Sequence, residues 1–280
     1  MITQAEREYV EAYAYLPEHI PQYVSAISKT EPFLLGDYII HAKKNRLVFV
    51  GYPLKEPFRE KQMGEVLDNA VRQFKPREVT LIAPTIPSRL DGSHRTPSDD
   101  YYRLEVSALV VSQKLRNMLS RASRELSVER TRTFGRDHKK FVANFLKTHP
   151  VDAGTQFIFK RIDHYVSSSN TALIFNARNR TGELVAFDIA EFCPKQYALY
   201  MFNFSSGTLY VPGASDLLLS DVVQVSKEEG KKYVNLGLGI NRGVTFFKKK
   251  WGGVAFLPYA SCLYDSSRRE NLETLLRKLS

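Results

Sequence analysis

The residues best suited to chemistry are concentrated in one stretch near the C-terminus, Tyr233-Val-Asn-Leu-Gly-Leu-Gly-Ile-Asn-Arg-Gly-Val-Thr-Phe-Phe-Lys-Lys-Lys-Trp-Gly-Gly253. Its apolar start reads as a short buried strand that breaks at Gly237 and Gly239. A loop carrying Asn241, Arg242 and Gly243 follows, then an aromatic-basic turn with Lys248, Lys249 and Lys250. Glycines let backbone amides come close to a ligand, and cations beside them favour an anionic one. Ordinary structural roles compete at each position. Gly237 and Gly239 can simply end a strand, Asn241 can be a polar loop tip, and three lysines can be a solvated turn. Phe247 and Trp251, four apart, can stack on a base, although aromatic pairs at that spacing are more often core.

The elements needed to hold this stretch are visible upstream. A meander of strands over Ala172–Asn176, Leu184–Phe192 and Gln196–Phe204 is separated by turn residues at Asn179–Gly182 and Cys193–Lys195. Ser205, Ser206 and Gly207 follow it, and Tyr210-Val-Pro-Gly-Ala-Ser215 leads into a helix over Asp216–Glu229 that stops at Gly230. In the first half the spacing predicts a hairpin of Asp37–Ala42 and Arg46–Tyr52, a helix over Glu56–Phe74 and a buried strand Val79–Ala83. A Pro- and Asp-containing loop then precedes a strand over Tyr101–Val111. Helices over Ser112–Glu125, Asp137–Thr148 and Thr155–Ser167 complete the pattern, with a strand Val128–Thr131 among them. No internal repeat shows by residue identity.

The run Phe247-Lys248-Lys249-Lys250-Trp251-Gly252, after a strand ending in Asn-x-Gly and a Gly-containing loop, resembles the closing motif of the Fem-type aminoacyltransferases. Strand, loop, helix, Gly and strand in that order resemble the family's second-domain ending. Asp99-Asp-Tyr-Tyr-Arg-Leu-Glu105 and Lys114-Leu-Arg-Asn-Met-Leu-Ser-Arg-Ala122 look like its inter-domain linker, so the resemblance spans roughly residues 99 to 260. It implies a mixed α/β (α+β) fold of tandem GNAT-like domains, with mostly antiparallel sheets flanked by helices. The expected division is 1–111 and 112–280, with a V-shaped opening between the strands around Asp188 and Met201.

The same resemblance implies an acyltransferase that moves an acyl or aminoacyl group onto an amine or hydroxyl acceptor. Lys248 is the implied catalytic residue, facing the donor's phosphates and reacting carbonyl. Arg242, Asn241, Gly239, Phe247, Trp251, Ser205 and Ser206 are the implied donor- or substrate-binding residues. A CoA-dependent GNAT enzyme carries Arg/Gln-x-x-Gly-x-Gly/Ala before its helix, which holds a pyrophosphate on successive amides. Val211-Pro-Gly-Ala-Ser-Asp216 has the wrong spacing for it. That favours an aminoacyl-tRNA-like donor over acyl-CoA, with a small molecule, lipid headgroup or peptide as acceptor. The chain lacks the long coiled-coil insertion of cell-wall Fem enzymes and is closer to the aminoacyl-transferring domain of lysyl-phosphatidylglycerol synthases. Asp188, Glu191 and His164 are candidates for a general base, and none is assigned.

Composition bounds the alternatives. The 280 residues carry 40 Lys plus Arg against 30 Asp plus Glu, and the net charge of +10 favours polyanionic partners. Nine of those cations lie between Lys114 and Lys140, where a basic helix beside Lys248 would make a path for phosphates. The rival reading is a non-catalytic module of the same fold that binds RNA or a nucleotide-bearing ligand. No apolar run approaches the ~20 residues of a membrane helix, and the first residues do not read as a signal peptide. Cys193 and Cys262 are far apart, so a cytoplasmic protein without a disulfide framework, resident cofactor or metal is expected.

Overall fold

A repeat hidden in the sequence organises the backbone. A computed structural model of the chain describes residues 1–90 and 94–265. Helix α1 (Gln4–Tyr13) begins at a Thr3–Glu6 capping box, and a 3-10 turn (Pro17–His19) separates it from α2 (Pro21–Ser28). Strands β1 (Glu31–Leu35), β2 (Tyr38–Lys43) and β3 (Arg46–Val50) form an antiparallel meander. Helix α3 (Glu60–Phe74) then crosses to β4 (Glu78–Ala83), which runs parallel to β3. After the short β5 (His94–Arg95) and β6 (Asp99–Glu105) come α4 (Gln113–Glu125), β7 (Leu126–Thr131), α5 (Arg136–Thr148), α6 (Ala153–Phe159) and α7 (Ile162–Ser168). The pattern then recurs. Strands β8 (Ala172–Asn179), β9 (Leu184–Glu191) and β10 (Tyr197–Ser205) form a second meander, and α8 (Ala214–Glu228) crosses to β11 (Tyr233–Leu238), parallel to β10. Helix α9 (Arg242–Lys250) and the long strand β12 (Val254–Asp265) complete the described chain.

The strands of the described residues make one continuous sheet in the order β1-β2-β3-β4-β12-β6-β11-β10-β9-β8-β7, with β5 paired to β12. Each repeat borrows its last strand from the other half of the chain. β6 pairs antiparallel with β11, while β12 runs beside β6 at its start and beside β4 at its end. The expected boundary near Val111 falls between β6 and α4, and the backbone crosses it twice in this way. Side chains on one face of the first sheet half, among them Ile40, Phe49 and Leu81, pack under Met63 and Leu67 of α3. In the second half, Ala186, Ala190 and Leu236 pack under Leu218, Leu219 and Val222 of α8. Helices α5 to α7 cover the opposite face around Phe187, Phe202 and Phe204.

Three expectations change. The single helix expected over Thr155–Ser167 is two, broken at Lys160 and Arg161, where the backbone leaves the helical register. The loop and turn expected around Asn241 to Lys250 are mostly helix α9, because the Asn241 side chain caps it by accepting from the Val244 amide. The pairing of β9 with β10 continues past Asp188, which lies opposite Asn203. The opening expected there lies one strand over.

Candidate functional site

Strands β10 and β11 pair only at Tyr197–Tyr233, Ala198–Val234 and Leu199–Asn235. Immediately beyond, each strand carries an irregularity, between Tyr200 and Phe202 on β10 and between Asn235 and Gly237 on β11. A bulge bends and twists its own strand, so two bulges at one level turn the strands apart. The equivalent place in the first half is closed. β3 and β4 pair through Val50–Ile82, the Gly51 amide extends the ladder to the Ile82 carbonyl at 2.6 Å, and a Cβ on Gly51 would stand 2.7 Å from both Ala83 and the Met63 sulfur. Only the second half opens.

Lys248 on α9 reaches this opening. Its side chain is 3% exposed, and its Nζ donates to the Leu238 carbonyl and lies 5.9 Å above the Tyr102 ring. A Cβ built on Gly237 would stand 3.7 Å from that Nζ and 3.8 Å from the Tyr200 carbonyl oxygen, so the ammonium faces the edge of β10 where pairing ends. Burial pushes the Lys248 ammonium down to about 7, against the pull of the Asp99 carboxylate. This is no solvated lysine.

The loop before α9 is tied down by Asp99, which accepts from the amides of Asp100, Gly239 and Ile240 at 2.7, 3.1 and 2.7 Å. Gly239 is required for that contact, since a Cβ would stand 2.6 Å from the Asp99 carboxylate. Ile240 adopts a left-handed φ of 59°, a costly conformation for a β-branched residue that the Asp99 bond holds in place. Sequence spacing could not link Asp99 to Gly239, 140 residues away. Asn241 is spent on its cap, and Arg242 is exposed at the start of α9.

The expected binding residues divide between two surroundings. Ser205, Ser206 and Phe247 line one cavity of about 130 Å³ with Ser215 and Asp216 at the start of α8. Trp251 is 1% exposed, and its indole N–H donates to Asp216 at 2.8 Å, so of its two readings, base stacking and core, it takes the core one and does not act as a donor-binding ring. Lys250 also bonds Asp216, at 2.6 Å, and the basic-aromatic run thereby clamps α9 to the first turn of α8. Asp216 escaped notice in the sequence because nothing local marks it. On the base candidates, Glu191 accepts from Tyr165, Ser169 and two backbone amides and is fully engaged in structure, while His164 is exposed on α7. Asp188 differs from both. It is 0% exposed, its Oδ1 accepts from Asn203, the Tyr200 hydroxyl stands beside it, and burial raises its carboxyl to about 8.

Helix α4 adjoins this cavity. Its Met118 and Ala122 pack on Gly213, where a Cβ would stand 2.9 and 3.3 Å from them and φ is +86°. Part of the basic stripe is engaged, Arg130 with Asp221 and Lys139 with Asp163. Arg121 and Arg124 on α4 are exposed, and among the described residues their side chains make no ion pair.

No protein-family model and no curated protein sequence matches the chain. Solved structures do. L-PGS from Bacillus licheniformis superposes at a TM-score of 0.59 and 16% identity, over 93% of this chain and 91% of that one. FemX superposes at 0.61 and 10% identity, over 93% and 96%. A tandem GNAT protein from the clavulanic acid biosynthesis pathway superposes at 0.57 and 11% identity, over 93% and 94%. The fold is a tandem GNAT fold. In the tandem GNAT frame, the meander, crossover helix and parallel strand occur twice, and these likenesses of backbone each span 93% of the chain. No helix of the described residues is long and apolar enough to cross a membrane.

Proposed function

We propose that the chain is an acyltransferase that moves an aminoacyl or acyl group from an activated donor to an amine or hydroxyl acceptor, with the donor's carbonyl at the β10–β11 opening. The observation that carries this reading is a buried lysine, Lys248, directed at the only parallel strand pair that parts among the described residues. Acyl transfer asks little covalent chemistry of a protein. The acceptor's lone pair attacks the carbonyl carbon, the carbonyl oxygen gains negative charge, and collapse expels the donor's oxygen or sulfur, which takes up a proton. A desolvated ammonium beside that oxygen stabilises charge that exists only in the transition state. An anionic donor would also draw the Lys248 ammonium back toward its charged form.

Two features support an aminoacyl-tRNA-like donor over acyl-CoA. The first turn of α8 is occupied by Asp216, which is buried and bonded to Lys250 and Trp251, and the preceding Val211–Asp216 run lacks the glycine spacing that holds a pyrophosphate on successive amides. Helix α4, which packs on Gly213 through Met118 and Ala122, also carries the exposed Arg121 and Arg124, cations that suit a polyanion longer than the cavity. The test is a transfer assay of the full chain with radiolabelled aminoacyl-tRNAs and acyl-CoAs against amine and hydroxyl acceptors. Donor-dependent label on an acceptor is expected. RNA binding without turnover would make the chain a binding module instead.

A further inference from the structure

The cavity at the head of α8 is lined for hydrogen bonding and is small. Its volume of about 130 Å³ falls below the roughly 300–1,000 Å³ of pockets that enclose a whole small molecule, so it suits one ring of a larger one. Oxygen atoms line it from Ser205 and Ser206, at and just past the end of β10, and from Ser215 and Asp216 in the first turn of α8. Phe247 of α9 supplies an aromatic wall.

These oxygens are held from behind. The Asn203 amide donates to Ser215 Oγ at 3.2 Å and to the Asp188 carboxyl at 2.5 Å, and Asp188 is fully buried. Ser206 Oγ accepts from the Leu209 and Thr208 amides at 2.9 and 3.3 Å, which fixes it at the cavity edge. Trp251 and Lys250 both bond Oδ1 of Asp216, leaving Oδ2 as an acceptor for a ligand in the cavity that Asp216 lines. Charge does not select that ligand. Asp216 is 5% exposed and is balanced by the Lys250 ammonium at 2.6 Å, so the pair presents neither sign to an incoming group. Hydrogen-bonding oxygens beside an aromatic face remain. They match a small ring bearing several hydroxyls, since each hydroxyl both donates and accepts, a carboxylate takes its proton, and the ring's apolar face packs on Phe247.

We propose that this cavity holds the ribose of the donor's terminal nucleoside by its vicinal hydroxyls, an inference that rests on the acyl-transfer reading of the adjoining opening. Phe247 and Lys248 are consecutive on α9, the first lining the cavity and the second facing the opening. An acyl group esterified directly to one ribose oxygen therefore lies next to the opening when the sugar fills the cavity, and the neighbouring hydroxyl stays free for recognition. In acyl-CoA the pantetheine arm sets the carbonyl far from the ribose, so the same two places do not serve it together.

Trp251 reports on the cavity, because it is the chain's one tryptophan and its indole N–H bonds Asp216. The test is titration of the ¹⁵N-labelled full chain with adenosine and with 2′,3′-dideoxyadenosine, followed on that single indole signal. Adenosine should move it saturably, and removal of the two hydroxyls should weaken binding about tenfold or more, the size of losing hydrogen bonds to a charged acceptor. Ser215→Ala should weaken adenosine several-fold and leave dideoxyadenosine unchanged. An unmoved signal, equal affinity for the two nucleosides, or displacement of adenosine by inorganic phosphate would each overturn the proposal, the last marking an anion site. Adenosine bound as tightly by Ser215→Ala as by wild type would overturn it too. The comparison of nucleosides needs no variant and decides alone if Ser215→Ala does not fold. Acyl transfer without adenosine binding here would remove the ribose site and leave the transferase standing, whereas adenosine binding without transfer would keep the site and remove the transferase.

Discussion

Lys248 and Asp188 are both buried ionisable groups, and they push stability in opposite directions with pH. Asp188 is raised to about 8 by burial, so the fold keeps a proton that the unfolded chain loses near pH 4. Its stabilisation is complete below pH ~4 and is lost as pH rises through 8. Asp188→Asn, which keeps a neutral isostere, should flatten that fall in urea-unfolding free energies measured from pH 4 to 8. Lys248 is lowered to about 7, so between there and pH ~10.4 the unfolded chain holds a proton that the fold does not. Stability should rise with pH across that window, by at most about 1.4 kcal/mol per unit, and Lys248→Met should remove the rise. Asp216 binds both Trp251 and Lys250, and Asp216→Ala should cost about 3 kcal/mol in denaturant unfolding by stranding a buried indole N–H and a cation. The sequence singled out Lys248 through its flanking motif. It could not reveal Asp99 or Asp216, because each acts across the fold on residues far away in the chain.

At the scale of elements, strands β8 to β10 were legible because their apolar runs and turn residues are local. Helix α9 was not. Helix α9 shows no continuous apolar stripe and is defined by its Asn241 cap and by the fit of Lys248, Lys250 and Trp251 beneath it. Gly253 completes that fit, since a Cβ there would stand 2.8 Å from both Leu236 Cδ1 and the Lys248 carbonyl oxygen. Gly253→Ala should therefore cost roughly 1–3 kcal/mol, while Gly207→Ala, in open space, should cost little. Comparison of the two melting temperatures checks this. Helix α4 gives a second test, because it packs on the start of α8 through Met118 and Ala122 and carries the exposed Arg121 and Arg124. Replacing both by Ala should flatten the salt dependence of tRNA affinity, and an unchanged slope would remove α4 from the donor path.

For the whole molecule, the exchange of β6 and β12 makes the two repeats one structure. Each repeat's parallel strand, β4 or β11, pairs with a strand from the other half. Fluorescence of Trp251 and far-ultraviolet circular dichroism should consequently report one coincident unfolding transition, and two separate transitions would contradict the coupling. The repeat itself was invisible by residue identity because GNAT architecture is set by strand order and crossover, which dissimilar side chains satisfy equally well. What distinguishes the halves is their parallel strand pair, which the first closes over Gly51 and the second opens at two bulges in front of Lys248, where transfer is proposed. The most direct measurement of that claim is the rate of donor-dependent transfer by Lys248→Met, compared with wild type at equal folded concentration. A loss of roughly 10²–10³ is expected, the size associated with removing one transition-state donor. Transfer at the wild-type rate by a folded Lys248→Met protein would contradict it.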